Sequence, residues 1–170
     1  KIVTMPQFDL GQFLDLIERD RATHLLIVPP IALALAKHPA VEGRVRSSLR
    51  VVNSGAAPLG AELVRQVSER IGCVVMQGYG LTETSPVATV GAIKSVFADL
   101  PEEELADIRA LQGLPLFGVE LRIQDQATGE PVPWDGESRG ELQARGPWIA
   151  REYYNDDRPP ESFTDDGGLR

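Results

Sequence analysis

Cysteine, histidine and clustered positive charge are scarce in this sequence, and each scarcity argues against a class of function. One cysteine, Cys73, cannot form an internal disulfide, and with two histidines the chain offers no zinc-type spacing of ligands. The formal net charge is −8 and lysine and arginine form no run, which disfavours binding to a nucleic-acid backbone. An anionic ligand would therefore have to be held by backbone N–H groups, hydroxyls or a metal ion.

Long apolar segments are also absent. The longest apolar run, LLIVPPIALALA at residues 25–36, is too short to span a bilayer and contains two prolines. The first residues, KIVTMPQFD, lack the apolar core of a signal peptide. A single thiol suits a reducing compartment, so we expect a cytoplasmic protein in which Cys73 is a small buried hydrophobe.

Helix and strand patterns alternate over residues 1–95. Continuous apolar runs at residues 23–28, 49–55 and 73–80 predict buried strands of the kind that parallel sheets use. Helical spacing precedes or separates these runs at residues 10–17, 31–38 and 61–71. This alternation predicts a parallel α/β unit.

Capping residues mark several helix ends. Asp9, with Gln12 three residues later, predicts a helix N-terminus, and Gly72 predicts a C-terminal stop. Residues 100–111 predict another helix, with Glu102–Glu104 in its first turn, where carboxylates favour the helix dipole. A metal site at these glutamates is the alternative, but consecutive helix positions do not share a face.

The pattern changes again towards the C-terminal end. VELRIQD and GELQAR alternate apolar and polar residues, which predicts antiparallel strands with one wetted face. We therefore expect an α/β fold class in three parts: part of a parallel α/β sandwich at residues 1–95, a helical connection at 96–112, and a β-rich, barrel-like portion at 113–170.

Two predicted strands end in unusual loops, NSGAAPLG at residues 53–60 and QGYGLTETSP at 77–86. Ligands of open α/β sheets bind beyond the carboxyl ends of the strands. The small residues at 55–57 let a flat group approach the backbone closely, and Tyr79 could stack on the other side of that group.

The second loop also carries polar groups suited to a phosphate. Gly78 and Gly80 free the turn, the Thr82 hydroxyl can bond a phosphate oxygen, and Glu83 is a hard oxygen ligand suited to Mg²⁺. A planar base, a phosphate and magnesium describe a nucleotide. The alternative is purely structural, because glycines are common in turns and Thr-Glu often begins a helix.

Several motifs in register resemble those of the adenylate-forming acyl-CoA synthetase superfamily, which includes coumarate-CoA ligases, fatty acyl-CoA synthetases and beetle luciferases. QGYGLTETSP resembles the adenine-and-magnesium motif of that family, and NSGAAPLG resembles its second nucleotide loop. RGELQARGPWIAREYYND at 139–156 and FTDDGGLR at 163–170 resemble its downstream blocks. The resemblance implies an enzyme that uses ATP and Mg²⁺ to adenylate a carboxylic acid and then transfers the acyl group to coenzyme A.

The resemblance also implies roles for individual residues. Tyr79 would flank the adenine opposite the 55–58 loop, Thr82 would bond the phosphate and Glu83 would hold the Mg²⁺, which makes Thr82 and Glu83 the catalytic candidates. Trp148, Tyr153 and Tyr154 are interpreted as packing residues. The implied nucleotide-binding residues are Gly55, Ala56, Ala57, Pro58, Gln77, Gly78, Tyr79, Gly80, Leu81 and Thr82.

This sequence departs from the family pattern in two ways. Glu152 stands where relatives have a glycine before the Tyr-Tyr pair. The family's lysine-bearing phosphate loop and its C-terminal domain are not within these residues, so we expect a piece of a longer enzyme that is inactive alone.

The acid substrate is left open by the sequence. We expect a fatty acid, with a coumarate-type aryl acid or an amino acid as alternatives. A non-catalytic nucleotide-binding scaffold is the alternative of another class, and the intact Thr82-Glu83 pair argues against it.

Overall fold

The structure is a computed structural model that describes residues 1–44, 48–155 and 161–170. These residues form two compact units, one of Lys1–Tyr79 with Val90–Leu114 and one of Gly80–Thr89 with Pro115–Arg170. The three-part division expected from the sequence stays a prediction. Asp156, which ends the motif at 139–156, lies outside the described residues.

A five-stranded sheet of order β1-β2-β3-β4-β5 organises the first unit. β1 (His24–Ile27), β2 (Val51–Ser54) and β3 (Val74–Tyr79) are parallel neighbours, as their apolar runs predict. The two-residue strands β4 (Thr89–Val90) and β5 (Leu114–Pro115) follow, and within each of them the chain passes from one unit to the other. The predicted parallel α/β portion is therefore confirmed.

Helices of the first unit largely follow the predicted positions. One difference is that the second helix begins at Pro29 rather than after the prolines, because a proline lacks only an N–H that the first helical turn leaves unpaired anyway. The four helices are α1 (Leu10–Asp20), α2 (Pro29–Lys37), α3 (Ala61–Ile71) and α4 (Glu102–Arg109).

Both predicted helix ends have the expected geometry. The Asp9 side chain accepts a hydrogen bond of 2.8 Å from the backbone N–H of Gln12 at the start of α1. Gly72 ends α3 in the left-handed region with φ of 72° and donates to the Ser68 carbonyl at 2.7 Å.

Aliphatic side chains from the strands and helices form the core of this unit. The inward residues of β1 to β3, such as Val52 and Val75, are buried against helix residues, as the alternation of a strand requires. The core residues with no solvent exposure include Leu14, Ala32, Leu35, Val52, Val64, Val67, Ile71 and Val75.

The second unit contains an antiparallel pair of strands, as the alternating patterns predict. β6 (Glu120–Gln124) and β7 (Glu141–Arg145) pair in full register. Leu169 bridges to both Ala144 and Phe163, which adds an irregular edge. The β-rich character is confirmed, and the part of this unit that the structure describes contains no closed barrel.

A membrane-spanning helix and a metal site on α4 were the remaining questions raised by the sequence. Among the described residues, no helix is both long and apolar enough to cross a membrane. Glu102 pairs with Arg109 on α4, and the described ranges contain no group of three His, Cys, Asp or Glu side chains that could hold a metal. The three glutamates lie in the first turn of α4, where the sequence predicted them.

Candidate functional site

The loops after β2 and β3 leave the same edge of the sheet. Ser54, the last residue of β2, is the register partner of Gln77 on β3. A Cβ built on Gly55 would lie 3.8 Å from the Gly78 carbonyl oxygen, so the backbones of the two loops run side by side. The structure therefore brings together the first-unit candidate residues, 55–58 and 77–79, at the carboxyl edge where α/β sheets bind ligands.

Ala56 has an unusual backbone conformation at the tip of the first loop. Its φ is 72°, in the left-handed region, which costs a residue with a Cβ about 1 kcal/mol. Ala56, Ala57 and Pro58 are all exposed. A strained, exposed tip of small side chains is the kind of local feature that clusters at ligand-binding sites.

Gln77 fastens this loop to the sheet through its buried side chain, which is 2% exposed. The backbone N–H of Leu59 donates to Gln77 Oε1 at 2.6 Å, and Gln77 Nε2 donates to the Leu59 carbonyl at 3.0 Å. Nε2 also donates to the Arg109 carbonyl at 3.2 Å. The side-chain amide is therefore used for hydrogen bonds within the protein. The role of Gln77 in lining the base stays a prediction.

Gly78 and Tyr79 are the last two residues of β3 and are half-buried. Gly80 follows in the second unit, where space excludes any side chain. A Cβ on Gly80 would lie 1.9 Å from the Pro86 carbonyl oxygen and 2.8 Å from Thr84 Oγ1. Gly80 is therefore required because another part of the backbone approaches it closely. This is a second reason for a glycine here, besides the freedom of the turn predicted from the sequence.

A short 3-10 turn at Thr82–Thr84 presents the two catalytic candidates. Thr84 is buried, and its hydroxyl donates to the Leu81 carbonyl at 2.9 Å and accepts from the Leu81 N–H at 2.8 Å. Leu81 and Thr82 are exposed and Glu83 is half-exposed. Thr84 thus closes the turn from inside and leaves the Thr82 and Glu83 side chains accessible.

Glu83 is tied to a distant segment of the same unit. Tyr153 Oη donates to Glu83 Oε1 at 2.6 Å, and the Ala150 N–H donates to the Glu83 carbonyl at 2.7 Å. The Tyr153 hydroxyl, followed by the backbone N–H of Glu83 itself, holds the pKa of the Glu83 carboxyl below its ordinary value. The carboxylate is therefore ionised at neutral pH.

Tyr153 is the residue that sequence interpretation missed, because it was assigned to packing alone. It does pack, with its ring edge-on to Phe163 at 5.4 Å between centroids and 67° between planes. Its hydroxyl reaches a residue 70 positions away, for which no local pattern gives a signal. Glu152, which stands where relatives have a glycine, does not have a left-handed backbone conformation. The positive φ in this segment is at Asn155, where it is 55°.

Glu83 meets the requirements of a magnesium ligand as far as one side chain can. It is an accessible, ionised carboxylate with hard oxygen atoms. Mg²⁺ is usually held by one or two carboxylates together with substrate phosphates, rather than by a cage of protein ligands. The residues present therefore fit such an ion.

Curated relatives of this chain are acid–CoA ligases by name. The chain is 39% identical over 173 residues to a long-chain-fatty-acid–CoA ligase of Thermus thermophilus, covering 100% of this chain and 31% of that protein. It is also 39% identical over 156 residues to 4-coumarate–CoA ligase 2 of Oryza sativa subsp. japonica, covering 91% of this chain and 26% of that protein. The chain thus spans about a third or less of these two relatives.

Solved structures share the fold. The amide bond synthetase McbA from Marinactinospora thermotolerans has a TM-score of 0.80 at 32% identity, over 98% of this chain and 31% of that one. ATP-bound MatB from Rhodopseudomonas palustris has a TM-score of 0.76 at 30% identity, over 98% of this chain and 30% of that one. The sequence model described as "AMP-binding enzyme" matches residues 1–154, and the chain therefore belongs to the AMP-binding enzyme family.

Proposed function

We propose that this chain is part of an ATP-dependent acyl-CoA synthetase, an acid–thiol ligase that releases AMP. The observation that carries the proposal is the pair of motif-bearing loops, 53–60 and 77–86, whose first-unit backbones run side by side at the carboxyl edge of the sheet. Membership of the AMP-binding family and the CoA-ligase names of the relatives support it. The unpaired Cys73 fits a reducing compartment, and we propose the cytoplasm.

Two steps make up the proposed reaction. A carboxylate oxygen of the acid attacks the α-phosphorus of ATP and expels pyrophosphate, which leaves an acyl-adenylate. The thiolate of coenzyme A then attacks the acyl carbon, and AMP leaves. The enzyme's contribution is alignment of the reactants and stabilisation of charge at the α-phosphate in the first step. Once the acyl-adenylate has formed, AMP is a good leaving group for the second step.

Most of the candidate residues have a proposed part in this reaction. The exposed loop at 55–58 and Tyr79 would hold the adenine, with Gly78 and Gly80 allowing close approach of the backbone. Thr82, exposed on its turn, would donate its hydroxyl to a phosphate oxygen. Gln77 would keep the loop at 55–58 in place through its side-chain hydrogen bonds to the Leu59 backbone.

Magnesium fits the same turn. Glu83 would hold a Mg²⁺ ion, which would supply positive charge to offset the negative charge of the phosphate oxygens. Glu83 is suited to this role because its carboxylate is ionised and accessible. Thr84 and Tyr153 fix the backbone turn and the side chain that would present that carboxylate.

A long-chain fatty acid is the proposed substrate, and a coumarate-type aryl acid is the second candidate. Both are favoured by the same kind of observation, because the chain is 39% identical to a fatty-acid ligase and to a coumarate ligase. A panel of fatty, aryl and amino acids offered to the whole protein separates these candidates. The acid that gives the fastest pyrophosphate release identifies the substrate class.

The test of the activity uses Glu83→Gln in the whole protein, with pyrophosphate release as the readout. We expect about a hundredfold or greater loss, because removal of one ligand charge weakens magnesium binding and transition-state stabilisation together. Glu103→Gln, on the exposed side of α4, is the matched control and should retain full activity. Pyrophosphate release that is unchanged by Glu83→Gln contradicts the proposed role, and ATP binding without any release across the panel favours a scaffold.

A further inference from the structure

Segment 150–153 holds Glu83 at two points. The Ala150 N–H bonds the Glu83 carbonyl at 2.7 Å, and the Tyr153 hydroxyl bonds the Glu83 carboxylate at 2.6 Å. One contact fixes the backbone of the turn and the other fixes the end of the side chain. A glutamate without these contacts would lose rotamer freedom when it binds a metal, which would weaken that binding.

The Tyr153 ring is itself anchored by its edge-on contact with Phe163, which is 5% exposed. Packing on Phe163 requires an aromatic ring but no hydroxyl, so the hydroxyl is the part of the side chain that packing does not explain. The neighbouring Tyr154 is 99% exposed, whereas Tyr153 is 44% exposed. The two adjacent tyrosines therefore occupy different environments, and of the two only Tyr153 is bonded to Glu83.

We infer that Tyr153 is a positioning residue that orients the Glu83 carboxylate for a magnesium–nucleotide complex, an inference that rests on the proposed function. Its hydroxyl occupies Oε1 and so restricts the directions in which the carboxylate can face an incoming cation. Hydrogen-bond partners of this kind orient a metal ligand without touching the metal, and their removal typically lowers metal affinity by about 10–100-fold.

Tyr153→Phe is the discriminating variant because it removes the hydroxyl and keeps the ring against Phe163. ATP binding to the whole protein is measured by titration calorimetry at a series of Mg²⁺ concentrations. We expect the Mg²⁺ concentration for half-maximal ATP binding to rise about tenfold. At saturating Mg²⁺ the ATP affinity should return to the wild-type value, which would not happen if the variant were misfolded.

Tyr154→Phe is the matched control, with the same chemical change one residue away, and should leave the Mg²⁺ dependence unchanged. A Tyr153→Phe curve that coincides with the wild-type curve overturns the inference. So does a curve shifted to lower Mg²⁺, because the hydroxyl would then compete with the cation for the carboxylate. If the wild-type protein shows no Mg²⁺-dependent ATP binding, the proposed function fails instead, and the two failures are thereby distinguished.

Discussion

Gln77→Met tests whether the buried amide of Gln77 holds the loop at residues 53–60 in place. Methionine has a similar length and volume but can neither donate to the Leu59 carbonyl nor accept from the Leu59 N–H. Both of those backbone groups belong to a residue that is 2% exposed, so water cannot readily replace the lost partner. The substitution therefore isolates the hydrogen bonds from the packing.

The expected cost follows from the number of groups left unpaired. Each buried polar group without a partner costs about 1–3 kcal/mol. Leu59 contributes two such groups and the Arg109 carbonyl a third, so the full penalty is about 3–9 kcal/mol. Movement of the loop would relieve part of that penalty, and we expect a net loss of about 3 kcal/mol in the free energy of unfolding. The total stability of a domain is about 5–15 kcal/mol, so such a loss is easily measured.

The assay is urea unfolding of the whole protein together with amide hydrogen exchange across residues 55–60. Loss of these hydrogen bonds should speed exchange in this loop more than in the flanking β2 and α3, because the loop is what Gln77 fastens. Gln12→Met, on the exposed side of α1, is the control for the chemical change itself and should cost less than about 0.5 kcal/mol. A cost at Gln77 as small as that at Gln12, with unchanged exchange, would refute the reasoning.

Two further predictions follow from the same structure. Gly80→Ala should lower the free energy of unfolding by about 1–3 kcal/mol and weaken ATP binding, because its Cβ would meet the Pro86 carbonyl oxygen. Gly60→Ala, where a Cβ meets nothing within 4 Å, is the control for the unfolding measurement. Burial raises the pKa of the Cys73 thiol to about 11, so its alkylation by iodoacetamide at pH 8 should be about a hundredfold slower than that of a free thiol and should recover in denaturant. Cys73 is only partly buried rather than fully buried as the sequence predicted, and equal rates in the native and denatured protein would contradict even that partial burial.

Local sequence patterns predicted the regular elements well because those elements depend on neighbouring residues. The apolar runs at 23–28, 49–55 and 73–80 became β1, β2 and β3, and the caps at Asp9 and Gly72 lie where their residue types placed them. The start of α2 was less well predicted, because helical spacing was recognised only from residue 31, although the two prolines before it suit a first helical turn.

Contacts between distant residues could not be predicted in the same way. Gln77 bonds Leu59 across 18 positions and Tyr153 bonds Glu83 across 70, and neither pairing leaves a periodic trace in the sequence. Motif resemblance predicted that one partner in each pair is a ligand residue but gave no information on what holds that residue in place. The supporting half of the candidate site therefore became visible only in three dimensions.

The backbone passes between the two units three times, after Tyr79, Thr89 and Leu114. Because neither unit is a continuous stretch, a protease that cuts one bond cannot release either of them. During translation, β1 to β3 leave the ribosome well before α4, so the first unit stays unfinished while residues 80–89 emerge. The earliest of the three passages falls inside QGYGLTETSP, and an insertion in that motif would disturb a covalent link between the units along with the loop itself.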